Sequence, residues 1–347
     1  MEHFDVLVLP GAQPSDYALP LLGRSVLARM ADALGQVTDG TLYWDGTEPP
    51  ADSGAVCGRP EGDDVLTVCL PCPLVTAETW ARVTGTLTAG GILLAKRTAG
   101  TGETLCPEAE AVTTESAAGF AEALRRLRQR VNHSLLDSGV LLWDPENSYI
   151  APEAVIGAGT QILPGCQIIG KTVIGTGCQI GPYTLLQDSV LGDRVTVNQS
   201  QVLESTIGTG TTVGPYAYVR PGSRVGEKCR VGDFVELKKA TIGDGTKIAH
   251  LTYVGDADLG KRVNIGCGTV FANYDGKNKF RSTVGDDVFI GCNTNLISPV
   301  RVADGVYIAT GTTISEDVTE PESLVIGRPR QNVKPGWVKK RRESGKL

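Results

Sequence analysis

Through most of the second half of the chain an aliphatic residue returns every six positions. Ile156, Ile162, Ile168, Ile174, Ile180 and Leu186 form one run, and Ile207, Val213, Val219, Val225, Val231 and Leu237 a second. Ile242, Ile248 and Val254 make a third, and Val284, Ile290, Leu296, Val302, Ile308 and Ile314 the last. This period matches neither an amphipathic helix (about 3.6) nor strand alternation (about 2). It fits a three-sided coil with one short strand and one corner per hexad, whose turns stack their strands in parallel. The aliphatic side chains then line a narrow prism. The fourth residue after each is small, as at Thr160, Cys166, Thr172, Cys178, Thr184, Thr211, Ala217, Ser223, Cys229, Thr294 and Thr312, as a tight interior requires. Cys166, Cys178 and Cys229 are therefore expected as core fillers, whereas Cys267 and Cys292 fall out of this phase, at a corner or surface position. Glycine often follows the aliphatic residue, as at Gly157, Gly175, Gly208, Gly226, Gly243 and Gly285, and is expected to relieve crowding at sharp corners. The array covers residues 151–318, roughly nine coils of about 18 residues.

The first third has a different pattern. FDVLVL (residues 4–9), 65–70 and 92–95 read as buried strands. Residues 22–34 read as a helix with Leu22, Val26, Met30 and Leu34 on one face, and residues 114–136 as a longer helix. Alternating strands and helices predict a small α/β domain. Four parts follow: an α/β domain over 1–112, a connecting helix and arm over 113–150, the coil over 151–318, and a basic arm over 319–347.

Composition agrees with this division. The chain has 347 residues, enough for two domains, with 43 glycines and only 5% aromatics, which suits a β-rich repeat. A net charge of −6 gives no general case for nucleic acid. The start, MEHFDVLVLPG, has neither the basic beginning nor the long apolar run of a secretion signal, and no stretch approaches the roughly 18 apolar residues of a membrane span. Nine cysteines are then expected to be reduced thiols in the cytoplasm. Cys57, Cys69, Cys72 and Cys106 have irregular spacing for a zinc site, and no metal is expected.

The beat stops once. After Phe271 it resumes only at Val284, and NYDGKNK (Asn273–Lys279) lies between. This stretch, together with HLTYVGDADLGKRVNIGCGT, FVELKK and the lead-in LRQRVNHSLLDSGVLLWDPENSYI, resembles the bifunctional UDP-N-acetylglucosamine pyrophosphorylase/glucosamine-1-phosphate N-acetyltransferase family. The resemblance is close from about Arg125 to the C-terminus and faint over the first 110 residues. It implies a mainly β protein built on a left-handed parallel β-helix, preceded by a small degenerate nucleotidyltransferase-like α/β domain. It also implies a homotrimer with active sites shared between subunits. In the α/β part, LPGAQPSD lacks the glycines and cations of the family's nucleotide loop. Leu70 and Pro71 stand where the family has a glycine and a magnesium-holding aspartate. Without phosphate donors and metal carboxylate the charge of nucleotidyl transfer has no stabiliser, so uridylyl transfer is expected to be absent.

The reaction implied for the coil moves acetyl from acetyl-CoA, a co-substrate, to the amino group of glucosamine 1-phosphate, in UDP-N-acetylglucosamine and cell-wall precursor synthesis. It needs a base, a held sugar phosphate and donors for the oxyanion, and no metal. His250 is the only histidine in the coil; histidine accepts a proton near neutral pH, and its HLTY context matches the family's catalytic base. Arg220, Lys238 and Lys279 match cations for the sugar phosphate. Glu236, Tyr253, Asn264, Asn273 and Tyr274 match sugar, phosphate or amine contacts. Cys267, Cys292 and Thr310 match the small lining of the acetyl-CoA groove, and Arg328 a contact to the coenzyme's phosphates. The sequence places no histidine or second thiol beside Cys267 or Cys292, so a covalent cysteine route is not expected. An acetyltransferase for another amino-sugar phosphate, a catalytically silent scaffold, and a UDP-sugar-binding regulator remain as alternatives. NYDGKNK is expected to leave the coil at a corner and reach a neighbouring subunit.

Overall fold

The computed structural model describes residues 3–9, 15–18, 20–45, 48–62, 64–83, 85–89, 92–99, 101–108, 110–328 and 332–346. They fall into two compact units, 1–206 and 207–347. The nucleotide-loop stretch at 10–14 lies outside the described residues.

The first unit opens with a seven-stranded mixed sheet. Its order is Val56–Cys57, Leu42–Trp44, Asp5–Val8, Val65–Val68, Ile92–Arg97, Thr86–Ala89, Glu103–Leu105. The predicted strands are present. The first predicted helix starts four residues late, at Val26, because Leu22 and Gly23 take left-handed backbone (φ 51° and 86°). They turn Pro20–Leu21 back against Arg24–Ser25. Ser25 then caps the helix by accepting from Ala28 N–H. The turn needs a glycine: φ is positive and Gly23 lies against Ile169 and Gly170 of the coil. The second helix is Ala117–Asp137, capped by Ser116. Buried Asn132 on it donates to Pro145 O and Ser148 O, fixing the chain where the hexads begin. Buried Arg29 donates to Leu21 O and Leu22 O and pairs with Glu153.

The hexads form the expected left-handed parallel β-helix. In the first unit Val155–Ile156, Val173–Ile174 and Val190–Leu191 stack in parallel. In the second, Arg224–Val225, Thr241–Ile242, Ala257–Leu259, Ser282–Val284 and Arg301–Val302 do the same. Every aliphatic position of the four runs is buried, and so are Cys166, Cys178 and Cys229. Burial raises the Cys166 thiol to about 11, as an inert core filler requires. Each buried aliphatic side chain contributes about 1.5–3 kcal/mol. The small threonines do more than fill space. Thr211 Oγ1 donates to Gly226 O at 2.8 Å and accepts from Cys229 N at 2.9 Å, pairing backbone groups that would otherwise be buried alone.

The glycines after the aliphatic residues relieve crowding, as expected, but the crowding comes from the next coil rather than from the sharp turn itself. Gly208, for instance, lacks the left-handed φ, but a Cβ there would lie 2.5 Å from the carbonyl carbon of Gly226, one coil on. The sharp turn comes two residues later, at Gly210 (φ 70°), and non-glycines such as Lys228 and Arg262 make the equivalent turn on other coils. Several corners are stapled by aspartate. Asp244 accepts from Glu227 N, Asp286 from Lys261 N and Asp304 from Asp286 N, at 2.7–2.9 Å.

NYDGKNK leaves between Val270–Ala272 and Ser282–Val284. It forms a tight hairpin, with Tyr274 and Lys279 in an antiparallel bridge and Asp275 accepting from Lys277 N and Asn278 N. The vertical spacing across it rises to 25 residues, as between Arg262 and Asp287, so the coil resumes in phase.

Candidate active site

Five of the residues singled out lie along or beside one prism edge of the second unit. The corner residues Phe234, Leu251, Gly268, Asn293 and Gly311 all have left-handed φ. Asp233, His250, Cys267, Cys292 and Thr310 each stand one place before them. Asp233 and His250 are partners in register. Backbone bonds of 2.8–2.9 Å from Gly268 N to Leu251 O, Asn293 N to Cys267 O and Gly311 N to Cys292 O continue the column. Arg328 joins it by donating to Thr310 O at 2.6 Å. His250, Cys292, Thr310 and Arg328 are exposed and Cys267 is half-buried. Along the chain no histidine neighbours the cysteines; stacking places one a coil above Cys267, and a second thiol a coil below.

His250 Nδ1 lies 2.6 Å from Asp233 Oδ1. The hydrogen bond from His250 holds the Asp233 carboxyl below its ordinary range. A carboxylate only accepts, so Nδ1 carries a proton, and in the neutral ring the lone pair is on Nε2. Thr252 Oγ1 donates to His250 O at 2.7 Å and anchors the backbone behind it.

The following face carries the second cluster. Glu236 and Tyr253 are register partners. Arg220 Nη1 donates to Glu236 Oε1 at 2.8 Å, and that bond raises the guanidinium further above its already high range. At the far corner Lys238 Nζ lies 3.2 Å from Asp256 Oδ2, which also accepts from Asn273 Nδ2. Lys279 of the hairpin stands beside Lys238, and this second ammonium pushes Lys279 below the usual lysine range. Gly255 leaves room for the cluster, since a Cβ there would collide with Tyr253 Oη and Asn273 Nδ2. Lys238, Lys279 and Arg220 thus gather positive charge on one face, met in part by Glu236 and Asp256.

The residues are not all gathered in one chain. Asn264 lies on the preceding face, in register with Lys247 and Phe289. Tyr274 is exposed and bonds Gly276 O at 2.6 Å. Asn273 is only 5% exposed, so its amide serves the hairpin's base rather than open solvent. Cavities of about 580, 500 and 300 Å³ are lined by other residues. Asp233, Gly255 and Asp256 were missed from sequence, although a signal exists. Asp233 precedes His250 by 17 residues and Asp256 follows Lys238 by 18, one coil in each case. Cys57 is exposed, and among the described residues no three His, Cys, Asp or Glu side chains are grouped to hold a metal.

The profile described as "Bacterial transferase hexapeptide (six repeats)" matches residues 153–188 and 281–316. The bifunctional protein GlmU of Clostridium acetobutylicum is 50% identical over 215 residues, 62% of this chain and 47% of that protein. GlmU of Exiguobacterium sp. is 48% identical over 231 residues (67% and 51%), and that of Clostridium botulinum 48% over 240 (69% and 52%). The chain spans about half the length of the curated relatives it matches. Among solved structures, LpxA, a UDP-N-acetylglucosamine acyltransferase from Bacteroides fragilis, shares 19% identity, covering 57% of this chain and 76% of that one, at a TM-score of 0.42, too loose a likeness to bear on function.

Proposed function

We propose, on the premise that this chain is a relative of the bifunctional GlmU proteins, that it transfers acetyl from acetyl-CoA to the amino group of glucosamine 1-phosphate. The observation that carries this reading is the Asp233–His250 pair at 2.6 Å. It supplies an oriented Nε2 to take a proton from the substrate's ammonium. The freed amine attacks the thioester carbonyl, the C–S bond breaks, and the sulfur leaves as the thiol once protonated. Arg220, Lys238 and Lys279 hold the phosphate, with Glu236 and Tyr253 beside them for the sugar. The pantetheine arm lies along Cys267, Cys292 and Thr310, and Arg328 meets its phosphates.

A second copy of the chain completes the site. His250 stands on a convex edge, with Asn264 on one side and the cation cluster on the other, and an edge encloses nothing by itself. A homotrimer would set a neighbour's face against that edge. The α/β part of the first unit performs no uridylyl transfer: Leu70 and Pro71 offer no carboxylate for magnesium.

Thiol release from acetyl-CoA, measured with and without glucosamine 1-phosphate, tests the reading. We expect sugar-dependent release that falls about 10²-fold or more in His250→Ala. No sugar-dependent release in the wild-type protein would sink it. UDP-sugar formation from UTP by the pure protein would overturn the claim about the α/β part.

A further inference from the structure

We infer that Asp256 is a positioning residue, whose carboxylate sets the phosphate end of the site by fixing Lys238 and the base of the NYDGKNK hairpin together. The inference rests on the glucosamine 1-phosphate reading. It comes from comparing Asp256 with four other corner aspartates. Asp188, Asp193, Asp244 and Asp286 each direct a carboxylate oxygen at a backbone N–H one coil earlier. Asp256 does not. Its own N–H donates to Lys238 O at 2.9 Å and its carbonyl accepts from Ser282 N at 3.1 Å. The corner is thus closed without its side chain. The carboxylate, 15% exposed, is bonded instead to Lys238 Nζ on the coil before and Asn273 Nδ2 on the coil after.

That placement has a consequence for charge. Lys238 and Lys279 stand side by side and repel. Asp256 offsets one of the two, so both stay on the same face as Arg220. The carboxylate also grips the hairpin through Asn273 where it departs, while the backbone carbonyl holds Ser282 where the coil resumes. Lys279 is carried on that hairpin. Removing the carboxylate charge would loosen Lys238 and the departing side of the hairpin together, and the phosphate would lose two cations from their places. The corner backbone is left-handed (φ 48°), a conformation asparagine tolerates well, so Asp256→Asn keeps the turn and changes the charge.

The full-length Asp256→Asn protein should show a KM for glucosamine 1-phosphate raised about tenfold or more, with kcat falling less and the KM for acetyl-CoA little moved. Amide hydrogen exchange over residues 273–281 should quicken. Asp256→Glu, which restores the charge, should recover part of the lost KM. An unchanged sugar-phosphate KM would overturn the inference. So would a parallel loss in both KM values and kcat with no recovery in Asp256→Glu, the pattern of a merely damaged coil. Absence of sugar-dependent release in the wild-type protein would fail the parent reading instead. The exchange measurement would then decide by itself whether Asp256 holds the hairpin.

Discussion

At the scale of single residues, the proposed chemistry depends on which nitrogen of His250 faces out. Asp233 answers this by accepting from Nδ1. Asp233→Asn keeps the shape but lets the amide offer a donor where an acceptor is needed, which favours the wrong tautomer. We expect kcat to fall about tenfold or more, with the KM for glucosamine 1-phosphate nearly unchanged; steady-state kinetics check this. A normal kcat would remove Asp233 from the mechanism. The sequence made His250 legible as the candidate base of the proposed reaction because it is the coil's only histidine and sits in a specific motif. Asp233 was hidden because its partnership is vertical. Residues in HLTY are neighbours along the chain, whereas Asp233 is a neighbour only after one full coil. The same blindness separated Cys267 from His250.

At the scale of elements, the hexad beat was almost wholly legible, since every aliphatic position it marked is buried. The corners were less so. Their glycines sit where two backbones approach, and inter-coil distance leaves no trace in a single hexad. The aspartate staples were equally silent, being bonds between coils. They do make a prediction about acid. Backbone N–H donors hold Asp193 and Asp244 below the ordinary carboxylate range, and Arg281 does so for Asp258. Depressed carboxyl values contribute stability above the unfolded value of about 3.9, and it is lost as pH falls through the folded values. The thermal midpoint followed by circular dichroism should therefore hold from neutral pH to about 5 and drop steeply below about 4. A flat profile down to pH 2 would show that the staples add nothing.

At the scale of the molecule, the placement of Asn264 and the cation cluster on opposite sides of the His250 edge argues for assembly. If a neighbour closes the site, dilution or interface substitutions that yield monomers should abolish sugar-dependent acetyl transfer while leaving each β-helix folded. Sedimentation and activity measured on the same samples check this; a fully active monomer would contradict the shared site. The α/β part was legible as a set of elements, since its strands and first helix follow the alternation of apolar and polar runs.

The hairpin at 273–279 departs and returns without disturbing the vertical pairing on either side. Chain length and coil height are thus uncoupled at this corner. Doubling a loop adds only about 0.6 kcal/mol of closure entropy, so segments of other lengths could be grafted here while the stack below and above keeps its register. A scaffold with such a port can change what its surface recognises without having to solve its core again.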